Sequence, residues 1–361
     1  RINLENRIER CIDFYNDEVA RCSACKNMSE FMSIVDLSPE KIKWDDKLYT
    51  HAYNGVLHSV SEGEFRVSHY RPFFKQHLFY DNSFNWSKYQ LPKVLPKTDS
   101  ENFMICVSGA GVNKPFSCLI TEYTPDLEFI GKSQCFPLYW YEENKNQQGT
   151  LFDIGSEDKF IRRDGISDWI LKEVRSRFGN TKSLTKEHIF YYVYGLLHSE
   201  QYRSKFAAEL KKSLPRIPIV ERAEDFMSFY KAGKELADLH LNYEEVPACP
   251  EVVVNGDNPL GDQYAFYSVQ KMRFPAKGQK DTIIYNEHIR ITNIPAKAYE
   301  YVVNGKSAIE WIMERYQVTV DDGKNGSMIK NDPNDWSREH SKPRYILDLL
   351  LSVINVSVKT V

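Results

Sequence analysis

Acidic and basic side chains between residues 125 and 159 follow the loose spacing of a metal-dependent nuclease. Asp126 follows Pro125, and Glu157-Asp158-Lys159 comes about thirty residues later. Two carboxylates can hold a divalent metal ion and a lysine can assist the attacking water, which suits phosphodiester cleavage. The pattern is permissive, and a turn at Pro125 followed by a solvated charge cluster explains the same residues. An independent nuclease using Asp126, Glu157 and Lys159 is one alternative hypothesis.

The seven cysteines include one closely spaced pair, Cys22 and Cys25. Structural zinc takes four ligands, and the sequence has no second pair at a matching spacing. We therefore prefer two thiols near a helix end, with Cys11 nearby, over a zinc site. The odd cysteine count, with no signal peptide and no long apolar run, favours a reducing, cytoplasmic compartment and no membrane contact.

The glycine-containing run Val107-Ser108-Gly109-Ala110-Gly111 follows an apolar segment. It is similar to the turn of a nucleotide or S-adenosylmethionine site, where missing side chains let a ligand approach the backbone. Pro115 blocks the helix that should follow, so a flexible loop between strands is the preferred interpretation. The sequence also lacks a GxxxxGK[ST] P-loop, a GxSxG elbow and an Asn-Pro-Pro-Tyr tetrapeptide. We predict no catalytic, cofactor-binding or metal-binding residue in this chain.

Basic and amide side chains concentrate in four segments, at positions 70–75, 85–90, 113–116 and 132–134, and the first three also carry aromatic residues. Arg, Lys, Asn and Gln on loops are the side chains that hydrogen-bond to base edges in DNA. The candidate DNA-reading residues are Arg71, Lys75, Asn85, Lys88, Gln90, Ser108, Asn113, Lys114, Lys132 and Gln134.

A second group of basic residues lies on predicted helices and their approaches. The chain has 47 basic and 50 acidic residues, so any nucleic-acid surface must come from local clustering and not from net charge. A solvated helix face explains such clusters as well as phosphate binding does. The candidate phosphate contacts are Arg162, Arg163, Arg203, Lys205 and Arg216.

The elements that position these residues indicate an α+β fold, with mixed β-rich lobes flanking a central helical block. We expect three parts: residues 1–165, an N-terminal helix plus a β-rich recognition lobe; 166–245, a helical block; and 246–361, a C-terminal α/β part packing on that block. In the first part, apolar spacing predicts a helix over 4–19 and short runs predict strands. The strands lie at 65–67, 78–80, 103–107, 118–120 and 136–140, after an irregular stretch at 38–62.

In the second and third parts, capping residues and helix-breaking residues set the limits of the predicted helices and strands. Thr185 is expected to cap a helix carrying Ile189, Val193 and Leu197 on one face. The remaining predicted helices cover 201–213, 221–241, 307–316 and 345–354. Predicted strands cover 252–254, 264–272 and 282–285, and a loop is predicted over 321–335.

Several short motifs, taken in order, resemble the C-terminal target-recognition region of type ISP restriction–modification enzymes. Tyr70-Arg71-Pro72-Phe73 and Ser133-Gln134-Cys135-Phe136-Pro137-Leu138 are two of them. The others lie at residues 78–81, 105–109, 114–117, 194–199, 202–203, 214–218, 239–244, 311–316 and 331–336. The similarity covers about residues 1–345.

The resemblance implies a single-chain enzyme whose nuclease, helicase-like ATPase motor, helical coupler and adenine-N6 methyltransferase precede this region. It implies that S-adenosylmethionine, ATP and Mg²⁺ serve those parts and that this chain holds no cofactor. Double-stranded DNA and the upstream methyltransferase and coupler domains are the expected partners. We thus expect sequence-specific DNA target recognition. The main alternative is a structural module that supports the methyltransferase without touching bases.

Overall fold

Helices and short β-sheets alternate along the chain in the computed structural model, which describes residues 1–144, 159–179, 182–322 and 328–361. The predicted α+β class is confirmed. Among the helices in these ranges, none combines the length and apolar content needed to cross a membrane.

Three helices form the N-terminal part: α1 (Ile2–Arg21), α2 (Met28–Ile34) and α3 (Asp46–Tyr53). Tyr15, Phe31 and Leu48 share a small core between them. Helix α3 lies where an irregular stretch was predicted. The Asp45 side chain caps this helix by accepting a hydrogen bond from the Leu48 amide, a local signal that is easily missed in a polar segment.

The β-lobe follows, and its elements are β1 (Glu64–Arg71), β2 (Phe74–Tyr80), α4 (Leu91–Val94), β3 (Met104–Val107), β4 (Cys118–Thr121), β5 (Thr124–Pro125), β6 (Gln134–Pro137), β7 (Tyr139–Glu143) and β8 (Phe160–Asp164). Strands β1 and β2 form an antiparallel hairpin, and β5 adds to β1 in parallel. The β4-β3-β6 sheet is antiparallel throughout, and β7 pairs with β8.

Strand β3 is buried on both faces, which explains its unbroken apolar run. Successive side chains of a strand point to opposite faces. Met104 and Cys106 therefore pack with the C-terminal part, whereas Ile105 and Val107 pack with the helical block. The β4-β3-β6 sheet is the layer between these two cores.

The helical block contains α5 (Asp168–Arg177), α6 (Lys186–His198), α7 (Glu200–Lys205), α8 (Ala207–Leu210) and α9 (Ala223–Leu241). Thr185 caps α6 as predicted, accepting from the His188 amide. The single helix predicted over 201–213 is wrong, because Phe206 leaves the helical conformation and separates α7 from α8.

Helices α6 and α9 touch backbone to backbone at two glycines. A Cβ atom on Gly195 would lie 2.2 Å from the Phe229 carbonyl oxygen, and one on Gly233 would lie 1.9 Å from the Tyr191 carbonyl oxygen. Neither position has room for a side chain, so the close helix crossing depends on both glycines.

The C-terminal part contains β9 (Val253–Asn255), α10 (Gln263–Phe266), β10 (Ile283–Ile284), β11 (Arg290–Thr292), β12 (Val302–Val303), β13 (Lys306–Ser307), α11 (Ala308–Arg315), β14 (Thr319–Asp322), β15 (Met328–Asn331), α12 (Asn334–Glu339) and α13 (Tyr345–Thr360). Strands β10, β11 and β9 form one sheet, and α13 is buried along most of its length.

Two predictions for this part are wrong. The strand predicted over 264–272 starts instead as α10, which Asp262 caps by accepting from the Tyr264 amide. The loop predicted over 321–335 contains the β14–β15 pairing and the start of α12. Residues 323–327 of that loop lie outside the described residues.

The predicted division at residues 165 and 245 remains a prediction. The β-lobe contributes side chains to the core of the helical block and also to the core of the C-terminal part. Tyr243, at the end of the predicted helical block, packs in the C-terminal core. The three segments therefore share cores across both boundaries.

Candidate nucleic-acid interface

A groove crosses the surface of the β-lobe between two segments of the chain, residues 84–91 and residues 124–135. It consists of two adjoining cavities of about 430 Å³ and 440 Å³. Both cavities are lined by Ser87, Tyr89, Leu91, Pro125, Asp126 and Leu127. We call this feature the β-lobe groove.

The first wall of the groove is a loop whose backbone is held by hydrogen bonds despite its lack of regular structure. The Asp81 carboxylate accepts from the Ser83 and Phe84 amides. The Asn85 side chain accepts from the Asp81 amide at 2.9 Å and donates to the Phe79 carbonyl at 3.2 Å. These contacts fix the turn that leads into the wall.

A lysine from the N-terminal helices completes this support. The Lys47 ammonium donates to the carbonyl oxygens of Asn82, Asn85 and Trp86 at 2.6, 2.9 and 3.2 Å. An ammonium group has three donors, and all three are used on one loop. The first wall is therefore rigidly positioned before any ligand arrives.

The first wall presents aromatic, amide and cationic groups to solvent. Trp86 and Tyr89 are 68% and 69% exposed, and Gln90 is also exposed. Tyr89 has φ 44°, in the left-handed region, which costs a non-glycine residue about 1–3 kcal/mol, and residues strained in this way cluster at functional sites. The Lys88 ammonium lies 4.4 Å from the centre of the Tyr80 ring, and partial burial lowers the pKa of Lys88.

The second wall follows β5. The Arg71 guanidinium donates to the Asp126 carboxylate at 2.7 Å and stacks on the Tyr70 ring. Leu127, the residue after Asp126, is 51% exposed, and the side chain of Gln134 is exposed further along the groove. The second wall thus combines an exposed apolar side chain with polar groups that can donate and accept hydrogen bonds.

Gly109 supports the second wall from behind. Its amide donates to the Gly131 carbonyl at 3.0 Å, and a Cβ atom there would lie 2.3 Å from the Lys132 carbonyl oxygen. Lys132 has φ 47° and an exposed side chain. Gly109 therefore serves close backbone packing, and the run around it lies between β3 and β4, in agreement with its interpretation as a loop between strands.

Two predicted DNA contacts lie inside the protein. Lys75 is 9% exposed; its ammonium is 3.2 Å from the Glu244 carboxylate and 4.5 Å from the centre of the Tyr123 ring. Ser108 is 6% exposed, and its hydroxyl accepts from the Ser117 amide. Both side chains have partners within the fold.

The other basic candidates form surfaces outside the groove. Asn113 and Lys114 are exposed on a loop that contacts the helical block, because the Gly111 amide donates to the Lys211 carbonyl. Arg203 donates to the Phe116 carbonyl at 2.7 Å. Further exposed side chains on these surfaces are Lys205, Arg216, Arg162 over the Tyr139 ring, and Arg163 paired with Glu142.

Asn85, Lys88, Gln90 and Gln134 thus line the groove, and Arg71 pairs with Asp126 in its second wall. The exposed Lys132 lies two residues before Gln134, the first residue of β6. Sequence reasoning did not select Trp86, Tyr89 or Leu127, because an aromatic or aliphatic side chain is more often buried than exposed. A signal was present, since Trp86 and Tyr89 stand among Asn, Ser, Lys and Gln.

The residues of the nuclease hypothesis are only partly described. Asp126 is paired with Arg71, and its carboxylate also accepts from the Glu128 amide. Glu157 and Asp158 lie outside the described residues, and Lys159 is exposed. Within the described ranges no group of three or more His, Cys, Asp or Glu side chains is arranged to hold a metal ion. Cys22 directly follows α1, and among the described residues Cys22 and Cys25 belong to no group of three or more such side chains.

Replacing Asp126 with asparagine tests which role this carboxylate has. We expect DNA affinity at low salt to rise about threefold to tenfold, because one negative charge leaves the groove and Arg71 becomes available. A gel-shift titration with a random duplex measures the change. Under the nuclease hypothesis the same variant would instead lose metal-dependent cutting, and an unchanged affinity would contradict our expectation.

A rigid groove lined by amide, cationic and exposed aromatic groups is typical of a macromolecular recognition domain. Over residues 1–349 the chain matches the family described as Type ISP C-terminal specificity domain, and it belongs to this family. The resemblance seen in the sequence is confirmed.

Solved structures agree with this assignment. The chain is similar to the ATP-dependent Type ISP restriction-modification enzyme LlaBIII bound to DNA, with 38% identity and a TM-score of 0.82, covering 100% of this chain and 21% of that chain. For a nuclease-deletion mutant of the Type ISP enzyme LlaGI in complex with a DNA substrate mimic, identity is 36%, the TM-score is 0.82, and coverage is 99% and 25%.

A third similar structure is the DrdV–DNA complex determined by cryoEM, with 29% identity, a TM-score of 0.76, and coverage of 98% and 32%. The chain therefore spans about a fifth to a third of the length of the structures it matches. A search of curated protein sequences finds no significant match.

Proposed function

We propose that this chain recognises the DNA target sequence of a Type ISP restriction–modification enzyme and reads bases from the β-lobe groove. The observation that carries this proposal is the preorganised groove, which presents Lys88, Gln90 and Gln134 on a domain of the specificity family. Amide side chains can bond adenine bidentately, and lysine can donate to guanine. Similar structures in complex with DNA support the same ligand.

The parent enzyme supplies the chemistry in this proposal. Upstream coupler and adenine-N6 methyltransferase domains of the same polypeptide would be the protein partners, and the motor and nuclease would act on the DNA that this chain selects. S-adenosylmethionine, ATP and Mg²⁺ would bind in those upstream domains, in the cytoplasm. Holding the duplex in a fixed register lets a methyltransferase extrude its target base reproducibly.

The exposed basic side chains outside the groove would contact phosphates. Lys114, Lys205 and Arg216 lie on or beside the loop and helices joined by the Gly111–Lys211 hydrogen bond. Phosphate contacts fix register and orientation but carry no direct sequence information. The groove would therefore read the bases, and the basic surface would position the duplex.

The amides of the groove provide the test. We expect the double variant Gln90→Ala/Gln134→Ala to lose most of the sequence preference of the wild-type chain, by about tenfold, with little change in binding to unrelated DNA, since each good base contact contributes about 1–3 kcal/mol. Selection from a random duplex library, followed by titration of selected and scrambled duplexes, measures both quantities.

Gln279→Ala is the matched control, because Gln279 is exposed in the C-terminal part and does not line the groove. Wild-type preference in the double variant would point to a different reading surface. A wild-type chain that selects no sequence would favour the structural module, which supports the upstream domains without touching bases.

A further inference from the structure

We propose that Trp86 and Tyr89 form a stacking site for an unpaired base of the bound DNA. The inference rests on the proposed function and adds a different mode of contact to it. It concerns the faces of a base, whereas the amides of the groove address base edges.

The two rings are exposed on a loop that is built to hold them. Both are more than two-thirds exposed, and both line the same cavity of the β-lobe groove. Lys47 and Asp81 fix the backbone on the N-terminal side of the rings. Tyr89 adopts a left-handed conformation that asparagine or glycine would accept more readily. A rigid, strained loop that leaves two aromatic rings in solvent has the character of a contact surface.

The surroundings of the rings favour a base over other DNA groups. Leu127, 51% exposed, extends the apolar surface on the opposite wall, and Asn85, Gln76 and Ser87 add polar groups to the same cavity. A volume of about 430 Å³ falls in the range of small-ligand sites, roughly 300–1,000 Å³. An apolar rim with a few polar groups suits a flat heteroaromatic molecule.

The base must be unstacked to use this site. In a regular duplex the faces of each base are covered by its neighbours, so only edges and phosphates reach a protein. Phosphates prefer cations, and Lys88, which lines the same cavity, can bind the phosphate beside the base. The exposed rings have a ligand of matching shape only when a base leaves the stack.

Two pools of random 30-base-pair duplexes provide the test, identical except for one central bulged thymidine in the second pool. An unpaired base costs little to expose, so we expect the wild-type chain to bind the bulged pool about five- to tenfold more tightly. The double variant Trp86→Ala/Tyr89→Asn should bind the two pools within twofold of each other. Asparagine is chosen at position 89 because it tolerates the left-handed backbone.

Two single variants sharpen the result. Trp86→Phe keeps an aromatic face and should retain most of the preference for the bulged pool. Trp169→Ala is the matched control, because Trp169 is also 68% exposed but lies on α5 and does not line the groove. Thermal unfolding of each variant confirms that it is folded.

Equal binding of both pools by the wild-type chain, or a bulge preference that survives in the double variant, would overturn the stacking site. In either case, sequence selection from the fully paired pool would show that the proposed function still holds. Failure to bind either pool at low salt would count against both.

Discussion

Replacing Gly233 with alanine is expected to destabilise the domain by about 3 kcal/mol, at the upper end of the cost of overpacking. The new Cβ atom would lie 1.9 Å from the Tyr191 carbonyl oxygen and 2.6 Å from the Gly195 amide nitrogen. Both contacts are with backbone, which cannot rotate away, so α6 and α9 must separate. Their separation would open the apolar surface between the helical block and the β4-β3-β6 sheet.

The sign of the stability change in Gly233→Ala shows whether close helix packing or helix propensity dominates at this position. In an exposed helix, alanine in place of glycine would stabilise by about 0.5–1 kcal/mol. We expect a fall in the thermal midpoint of roughly 5 °C or more instead. Ser228→Ala is the control, because Ser228 is exposed on the same helix and should leave the midpoint within about 1 °C. An unchanged or raised midpoint for Gly233→Ala would show that the two helices are not in close contact.

Replacing Lys75 with alanine is expected to cost about 3 kcal/mol of stability, because it leaves the Glu244 carboxylate without its ion-pair partner and empties a buried site. Lys75→Met should cost roughly half as much, since methionine fills the space between the Tyr123 and Tyr243 rings. Urea unfolding curves of both variants measure the difference.

The same variants also test Lys75 as a DNA contact. If its ammonium neutralised a phosphate, Lys75→Met would lower the slope of log affinity against log salt concentration by about 0.9. We expect no change in that slope, because the ammonium faces Glu244 inside the fold. Lys205→Ala, at an exposed position, serves as the stability control. A reduced slope with unchanged stability for Lys75→Met would contradict the buried placement.

Local signals in the sequence were sufficient for the elements with clear periodicity or caps. The run at 103–107 predicted β3, and Thr185 predicted the start of α6. The α10 region was mistaken for a strand because a short apolar run fits a buried strand as well as a single helical turn. Its only local marker was Asp262, which caps the turn.

The sequence predicted four segments that contact DNA, but which of their side chains are exposed in the groove depends on tertiary contacts. Lys75 resembles any loop lysine until its distant partner Glu244 is placed beside it. Trp86 and Tyr89 resemble core residues until Lys47, on α3, is seen to hold their loop at the surface. Burial is decided by such long-range contacts, and a sequence window contains none of them.

Lys47 fixes the backbone of the first wall of the groove in a way that does not depend on the side chains of that wall. Its three hydrogen bonds end on main-chain carbonyl oxygens, which every amino acid provides. Substitutions of exposed side chains on this loop, including Trp86 and Gln90, can therefore alter what the loop recognises while Lys47 keeps its backbone in place. A scaffold of this kind lets new target preferences arise by single amino-acid changes without passing through misfolded intermediates. The exposed positions of this loop are therefore the ones to randomise when a different specificity is wanted.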